Sequence, residues 1–149
     1  MRVLIAEDDP VIALALVERV RSLGHEPLGP VGDGAQAVAE ATASRPDLYL
    51  FDIEMPELDG LSAAAELAAR GLGRPVVVIT GVDDRGLIER SVATGAGAYL
   101  TKPIDTRELE AAIRSRRLVT RSSRRCRPRW RRRSRRSRSE KSSSARRAC

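Results

Sequence analysis

The run Leu48-Tyr49-Leu50-Phe51-Asp52 is four apolar residues closed by an acid, and Ile53-Glu54-Met55-Pro56-Glu57-Leu58-Asp59 continues it as a turn-rich loop reaching Gly60. Apolar residues at every position, rather than at every second one, describe a strand covered on both faces. Beyond Gly60 the spacing of Leu61, Ala64, Ala65 and Ala68 predicts a helix with those four residues facing inward. Strand, acid-headed loop and helix form one unit.

The unit recurs on either side. Val3-Leu4-Ile5-Ala6 reads as a buried strand, followed by Glu7-Asp8 and a helix that Asp9 caps and Pro10 opens, where a missing N–H costs nothing. Ile12, Leu16, Val20 and Leu23 share one face of that helix, and Gly24 ends it. Glu26–Val31 is a weaker strand whose Pro27 and Pro30 confine it to a sheet edge. Asp33-x-x-Gln36 has capping-box spacing and opens a second helix. Val76 to Ile79 is a fourth strand ending at Thr80-Gly81, and a helix carrying Leu87, Ile88 and Val92 follows. Ala98-Tyr99-Leu100 is the fifth strand, and a final helix opens at Asp105-x-x-Glu108 and buries Leu109, Ala112 and Ile113. Five strands alternating with five helices predict an α/β fold with a doubly wound parallel sheet and helices on both faces. The proline-bearing edge strand gives the order 2-1-3-4-5, with a site beyond the carboxyl ends of the central strands.

The 149-residue chain has a formal charge of +7 that averages two unlike parts. Residues 1–113 hold 10 Lys/Arg against 19 Asp/Glu, whereas residues 114–149 hold 17 against one. From Ser115 the apolar pattern fails. The expected division is a folded domain over residues 1–118 and a basic Arg/Ser-rich tail over 119–149, disordered because it has too little to bury. Three readings of the tail stay open: non-specific binding of nucleic-acid phosphates, with Trp130 stacking on a base; a solvated extension; or an out-of-frame continuation in place of an output domain. Apolar runs such as Val76 to Ile79 are too short for a bilayer. Acids at positions 7 to 9 interrupt any signal-peptide core. Cys126 and Cys149 offer no disulfide framework or metal spacing. A cytoplasmic protein with no membrane association is expected.

The strand ends collect Glu7 and Asp8, Asp52, Thr80 and Lys102. Three carboxylates in one crevice repel one another by roughly 4 kcal/mol per pair at about 4 Å and an effective dielectric near 20. A divalent cation relieves that repulsion, and an all-oxygen site that keeps waters suits Mg²⁺. Such a cation draws a phosphoryl oxygen toward Asp52, and Lys102 pairs with that group or, before it arrives, with Asp52. The Thr80 hydroxyl can donate the hydrogen bond that reports the new charge. Asp9, Asp33 and Asp105 read as helix caps, Met55-Pro56 as a turn, and His25 as an exposed residue after a helix stop.

These residues together resemble a response-regulator receiver domain, the phospho-acceptor module of bacterial two-component signalling, which has the flavodoxin-like fold. The matching pieces are Val3-Leu4-Ile5-Ala6-Glu7-Asp8-Asp9, Leu50-Phe51-Asp52-Ile53-Glu54-Met55-Pro56-Glu57-Leu58-Asp59-Gly60, Val78-Ile79-Thr80-Gly81 and Gly97-Ala98-Tyr99-Leu100-Thr101-Lys102-Pro103. The resemblance implies that Asp52 is phosphorylated by a histidine kinase or phosphotransfer protein, and that Glu7, Asp8, Asp52 and the Glu54 backbone carbonyl hold Mg²⁺. It further implies that Lys102 binds the phosphoryl group, that Thr80 and Tyr99 form a switch pair, and that the Lys102–Pro103 bond is cis. The only catalysis it implies is the domain's own phosphorylation and dephosphorylation. The family's signalling and dimer face is the fourth helix, fifth strand and fifth helix. Glu7 stands where Asp is usual, Ile104 where Phe is common, and the tail has no helical pattern to complete an output domain. The segment from Ala93 to Leu109 is similar to receivers that precede RNA-binding antiterminator domains. Two other classes remain: a nucleic-acid-binding regulator acting through the tail, and a non-signalling flavodoxin-like binding domain. Against the second, no glycine-rich phosphate loop follows the first strand.

Overall fold

The structure, a computed structural model, describes residues 1–81 and 96–122. Five strands, β1 (Arg2–Ala6), β2 (Glu26–Val31), β3 (Leu48–Asp52), β4 (Val76–Thr80) and β5 (Ala98–Thr101), form one parallel sheet in the order β2-β1-β3-β4-β5. The described helices are α1 (Pro10–Ser22), α2 (Gly34–Ser44), α3 (Gly60–Ala69) and α4 (Thr106–Ser122). The expected helix carrying Leu87, Ile88 and Val92 lies outside the described residues.

The continuous apolar strands are explained by two cores. Leu4, Tyr49, Phe51 and Val78 pack with Ala37 and Val38 of α2 and Leu61 and Leu67 of α3. Val3, Leu50, Val77 and Ile79 pack with Leu16 and Val20 of α1 and Leu109 and Ile113 of α4. Alternate residues of each strand serve opposite faces, so every position of β3 and β4 is buried. β2 sits at the edge, with a cis Gly29–Pro30 bond and a register irregularity against β1.

The helix starts follow their caps. Asp9 Oδ1 accepts from the amides of Val11 and Ile12 at 2.8 and 3.1 Å. Asp33 Oδ1 accepts from Gln36 N at 2.7 Å, but the Gln36 amide donates back to the Asp33 carboxylate instead of accepting from its backbone. A charged acceptor outcompetes the reciprocal limb of the box. Asp59 Oδ1 accepts from Ser62 N at 2.9 Å.

Two expectations need correction, the inward face of α3 and the exposure of His25. In α3 the inward residues are Leu61, Ala63, Ala64 and Leu67, while Ala65 and Ala68 are exposed. An alanine-rich helix offers little polarity contrast, and its two large side chains, Leu61 and Leu67, set the rotation. α4 runs from Thr106 to Ser122, beyond Ser115 where the apolar pattern fails. Arg and Leu are good helix formers and need no apolar stripe to extend an existing helix. His25 is half-buried rather than exposed.

Candidate functional site

Backbone hydrogen bonds carry the sheet ladder one residue past the strands. Glu7 N donates to Val31 O at 2.9 Å, Ile53 N to Ile79 O at 2.9 Å, and Lys102 N to Thr80 O at 2.8 Å. The residues at the carboxyl ends of β1, β3, β4 and β5 are therefore held by main chain before any side chain acts. The β3–α3 loop turns tightly over the site because Gly60 lacks a side chain: a Cβ there would lie 2.0 Å from Asp52 O. Gly34 at the start of α2 closes the loop's far end, donating to Leu58 O at 3.0 Å.

At the centre, Lys102 Nζ lies 3.0 Å from Asp52 Oδ2 and 3.0 Å from Glu7 Oε2, and it donates to Glu7 Oε1 at 3.1 Å. The two carboxylates are buried and the lysine is one-fifth exposed. One ammonium thus serves two acids. The pairing with Glu7 was not expected; the signal for it was the extra methylene of Glu where Asp is usual, which lengthens the reach. Burial pushes the Glu7 carboxyl above its ordinary value and the Asp52 charge adds to the effect, against the opposing Lys102 hydrogen bond. Burial works to lower the Lys102 ammonium, but its hydrogen bonds and charge interactions with Asp52 and Glu7 outweigh that and raise it.

Carboxylate oxygens of Glu7, Asp8 and Asp52 all lie within 4.8 Å of one another. Glu7 and Asp52 are buried and Asp8 is exposed, so the cluster opens to solvent on the Asp8 side. Asp52 Oδ1 is buried with no hydrogen-bond partner among the described residues. Three acids, one lysine and an orphaned buried oxygen leave net negative charge on hard oxygen donors, which fits a divalent cation such as Mg²⁺. Glu54, whose backbone carbonyl is the fourth expected donor, lies two residues beyond Asp52 with an exposed side chain.

Thr80, fully buried, ends β4 beside Asp52, whose strand partner is Ile79. Tyr99 is half-buried in β5 opposite Val78 and packs on the core that contains Phe51 and Met55. The Lys102–Pro103 bond is cis. Leu87, Ile88 and Val92 of the expected signalling face, and Trp130, Cys126 and Cys149 of the tail, lie outside the described residues.

Order 2-1-3-4-5, an acid cluster at the switch point and a lysine reaching it from just beyond β5 define the class: a doubly wound α/β domain with an acidic site at the carboxyl edge of its sheet. Comparison with known proteins agrees. Residues 3–114 match the response regulator receiver domain, and the chain belongs to that family. It is 45% identical over 112 residues to the transcriptional regulatory protein PdtaR of Mycobacterium tuberculosis, covering 75% of this chain and 54% of that one. The chain spans about half the length of the curated relatives it matches. Among solved structures it resembles the receiver domain of a modulated diguanylate cyclase from Desulfovibrio desulfuricans, with a TM-score of 0.73 at 35% identity, over 80% of this chain and 95% of that one. It also resembles the receiver domain of the sensor histidine kinase PA1611 from Pseudomonas aeruginosa, which has magnesium coordinated in its active-site cleft. That match has a TM-score of 0.69 at 34% identity and covers 77% of this chain and 95% of that one.

Proposed function

We propose that Asp52 accepts a phosphoryl group from the phosphohistidine of a sensor histidine kinase or a phosphotransfer protein, and that the resulting charge switches the domain's conformation. The observation that carries this reading is the buried Asp52 carboxylate, with one oxygen on Lys102 and the other without a hydrogen bond among the described residues. In the transfer, an Asp52 oxygen forms the new P–O bond as the P–N bond breaks, and its electron pair stays on the imidazole nitrogen. Glu7, Asp8, Asp52 and the Glu54 carbonyl would hold Mg²⁺, which supplies neutralisation of the phosphoryl charge. Lys102 releases its hold on Asp52 to pair with the arriving phosphoryl oxygens, and Thr80 donates its hydroxyl to them. Tyr99 follows Thr80 inward, coupling the site to β5.

In this reading residues 1–118 act as the receiver, the only catalysis is the domain's own phosphorylation and dephosphorylation, and the protein works in the cytoplasm. A homodimer would use the face built on the expected fourth helix, β5 and the final helix. The charge of residues 114–149, 17 Lys/Arg against one acid, favours a secondary role in non-specific nucleic-acid binding.

Acetyl phosphate with Mg²⁺ tests the reading. One base-labile phospho-species is expected, lost in Asp52→Asn and in the presence of EDTA. Undiminished labelling of Asp52→Asn would show that the acceptor lies elsewhere, and equal labelling in EDTA would remove the metal.

A further inference from the structure

Residues 102–105 join β5 to α4, and their backbone is held from several sides. Lys102 N is tied to Thr80 O at 2.8 Å, the Ile104 side chain is buried in the core that contains Leu16, Val20 and Leu109, and Asp105 Oδ1 accepts from Arg107 N at 2.7 Å. The Ile104 carbonyl stands apart from these. The first backbone bond of α4 returns to Asp105 O, from Leu109 N, so the helix has no N–H for the residue before its cap. The residue also lies beyond β5, out of reach of the sheet ladder. A partly buried carbonyl left unpaired there costs about as much as a lost hydrogen bond. Arg19 of α1 supplies the donor: its Nη1 reaches Ile104 O at 2.5 Å, across 85 residues of sequence.

Arg19 is half-buried, and among the described residues its guanidinium forms no salt bridge. Its neighbour Arg21 behaves as a surface arginine, pairing with Glu18 at 2.8 Å in an exposed contact worth little. Helical side chains lean toward the N-terminus of their helix. On α1 that is the end capped by Asp9, with Glu7 and Asp8 in the loop just before it, so the helix that follows these two acids also carries a strut to the lysine's loop. Lysine is a point charge on a flexible stem, and the position of its ammonium depends on how firmly its backbone is fixed.

We propose that Arg19 is a positioning residue for phosphoryl transfer: by holding the Ile104 carbonyl it fixes the loop that sets Lys102 against Asp52 and Glu7. The inference rests on the reading of Asp52 as the phosphoryl acceptor. Arg19 touches no reacting atom and acts only through Lys102, which distinguishes it from a residue that merely stabilises the fold.

The test is a double-mutant cycle on the full chain, following initial labelling by acetyl phosphate at saturating Mg²⁺. Arg19→Met should slow labelling about tenfold, the scale set by a small misplacement of a clamping group. Arg19→Lys, which keeps a charged N–H donor on a shorter side chain, should recover most of the rate. In a Lys102→Met background, Arg19→Met should add less than about a twofold loss, because the group it positions is gone. Full-rate labelling by Arg19→Met, or the same fold-loss with and without Lys102, overturns the proposal. If the unaltered chain takes no phosphoryl group at all, the Asp52 reading fails by itself. The crystal structure of Arg19→Met then settles the positioning role. Lys102 Nζ displaced from Asp52 supports it, and Nζ still 3.0 Å from Asp52 Oδ2 refutes it.

Discussion

Lys102 neutralises two buried carboxylates, so its removal is felt in stability before it is felt in chemistry. Lys102→Met leaves Glu7 and Asp52 buried beside each other with no ammonium. Without divalent cation this should cost about 3–5 kcal/mol in urea unfolding, part of it recovered by Mg²⁺; an unchanged midpoint would mean the ion pair carries no net weight. The pH dependence has a defined sign. The Lys102 pKa is raised in the fold above its ordinary 10.5, so its contribution is complete below that value and is lost as pH rises through the folded value. Tyr49, raised above 10.0 by burial, acts in the same direction. Metal-free protein should therefore lose stability at alkaline pH, with Lys102→Met and Tyr49→Phe each removing a share of the slope. Glu7 is raised above 4.5, so its stabilising contribution is complete below that value and is lost as pH rises through the folded value. At pH above its ordinary value the buried Glu7 carboxyl therefore burdens the metal-free fold. Glu7→Gln should raise Tm without cation and reduce the further gain from adding Mg²⁺; a lower Tm in the metal-free variant would contradict this.

Among the elements, the loop between β3 and α3 depends on one missing side chain. Gly60→Ala places a methyl group 2.0 Å from Asp52 O and 3.2 Å from Phe51 Cβ, and should cost about 3 kcal/mol as the loop is forced away. The same change should weaken Mg²⁺ binding, which calorimetric titration would detect. Asp9→Ala removes the acceptor for two amides of α1 and should cost about 1 kcal/mol. The two losses differ in kind, because only the first moves the backbone of Asp52 itself. Elements with strong contrast were legible from sequence alone: β1, β3 and β4 are unbroken apolar runs, and the caps at Asp9, Asp33 and Asp105 sit where short acidic side chains precede helices. The rotation of α3 was not, since Ala63 and Ala65 are chemically identical and only packing against the sheet separates them. Nor was the end of α4 at Ser122, where helix propensity persists past the last residues of the apolar pattern.

Over the whole molecule, what sequence could show was the convergence of strand ends, because parallel topology alone brings Glu7, Asp8, Asp52, Thr80 and Lys102 to one edge. It could not show that Lys102 would divide itself between two acids, or that Arg19 would cross from α1 to the loop after β5. Both depend on side-chain reach across elements far apart in sequence. Charge sets the other large-scale feature. A chain shortened after Ser122, at the end of α4, should lose most affinity for polyanionic nucleic acid, and the full chain's binding should weaken steeply with salt; equal binding by both would exclude the basic segment. The central claim is narrower, that one carboxylate among several takes the phosphoryl group. Borohydride reduction after incubation with a phosphodonor and Mg²⁺ converts an aspartyl phosphate to homoserine, which peptide sequencing can place. Homoserine at position 52 and nowhere else is the expected result. A reduced residue at Asp8 or at any other acid, with Asp52 intact, would contradict the account.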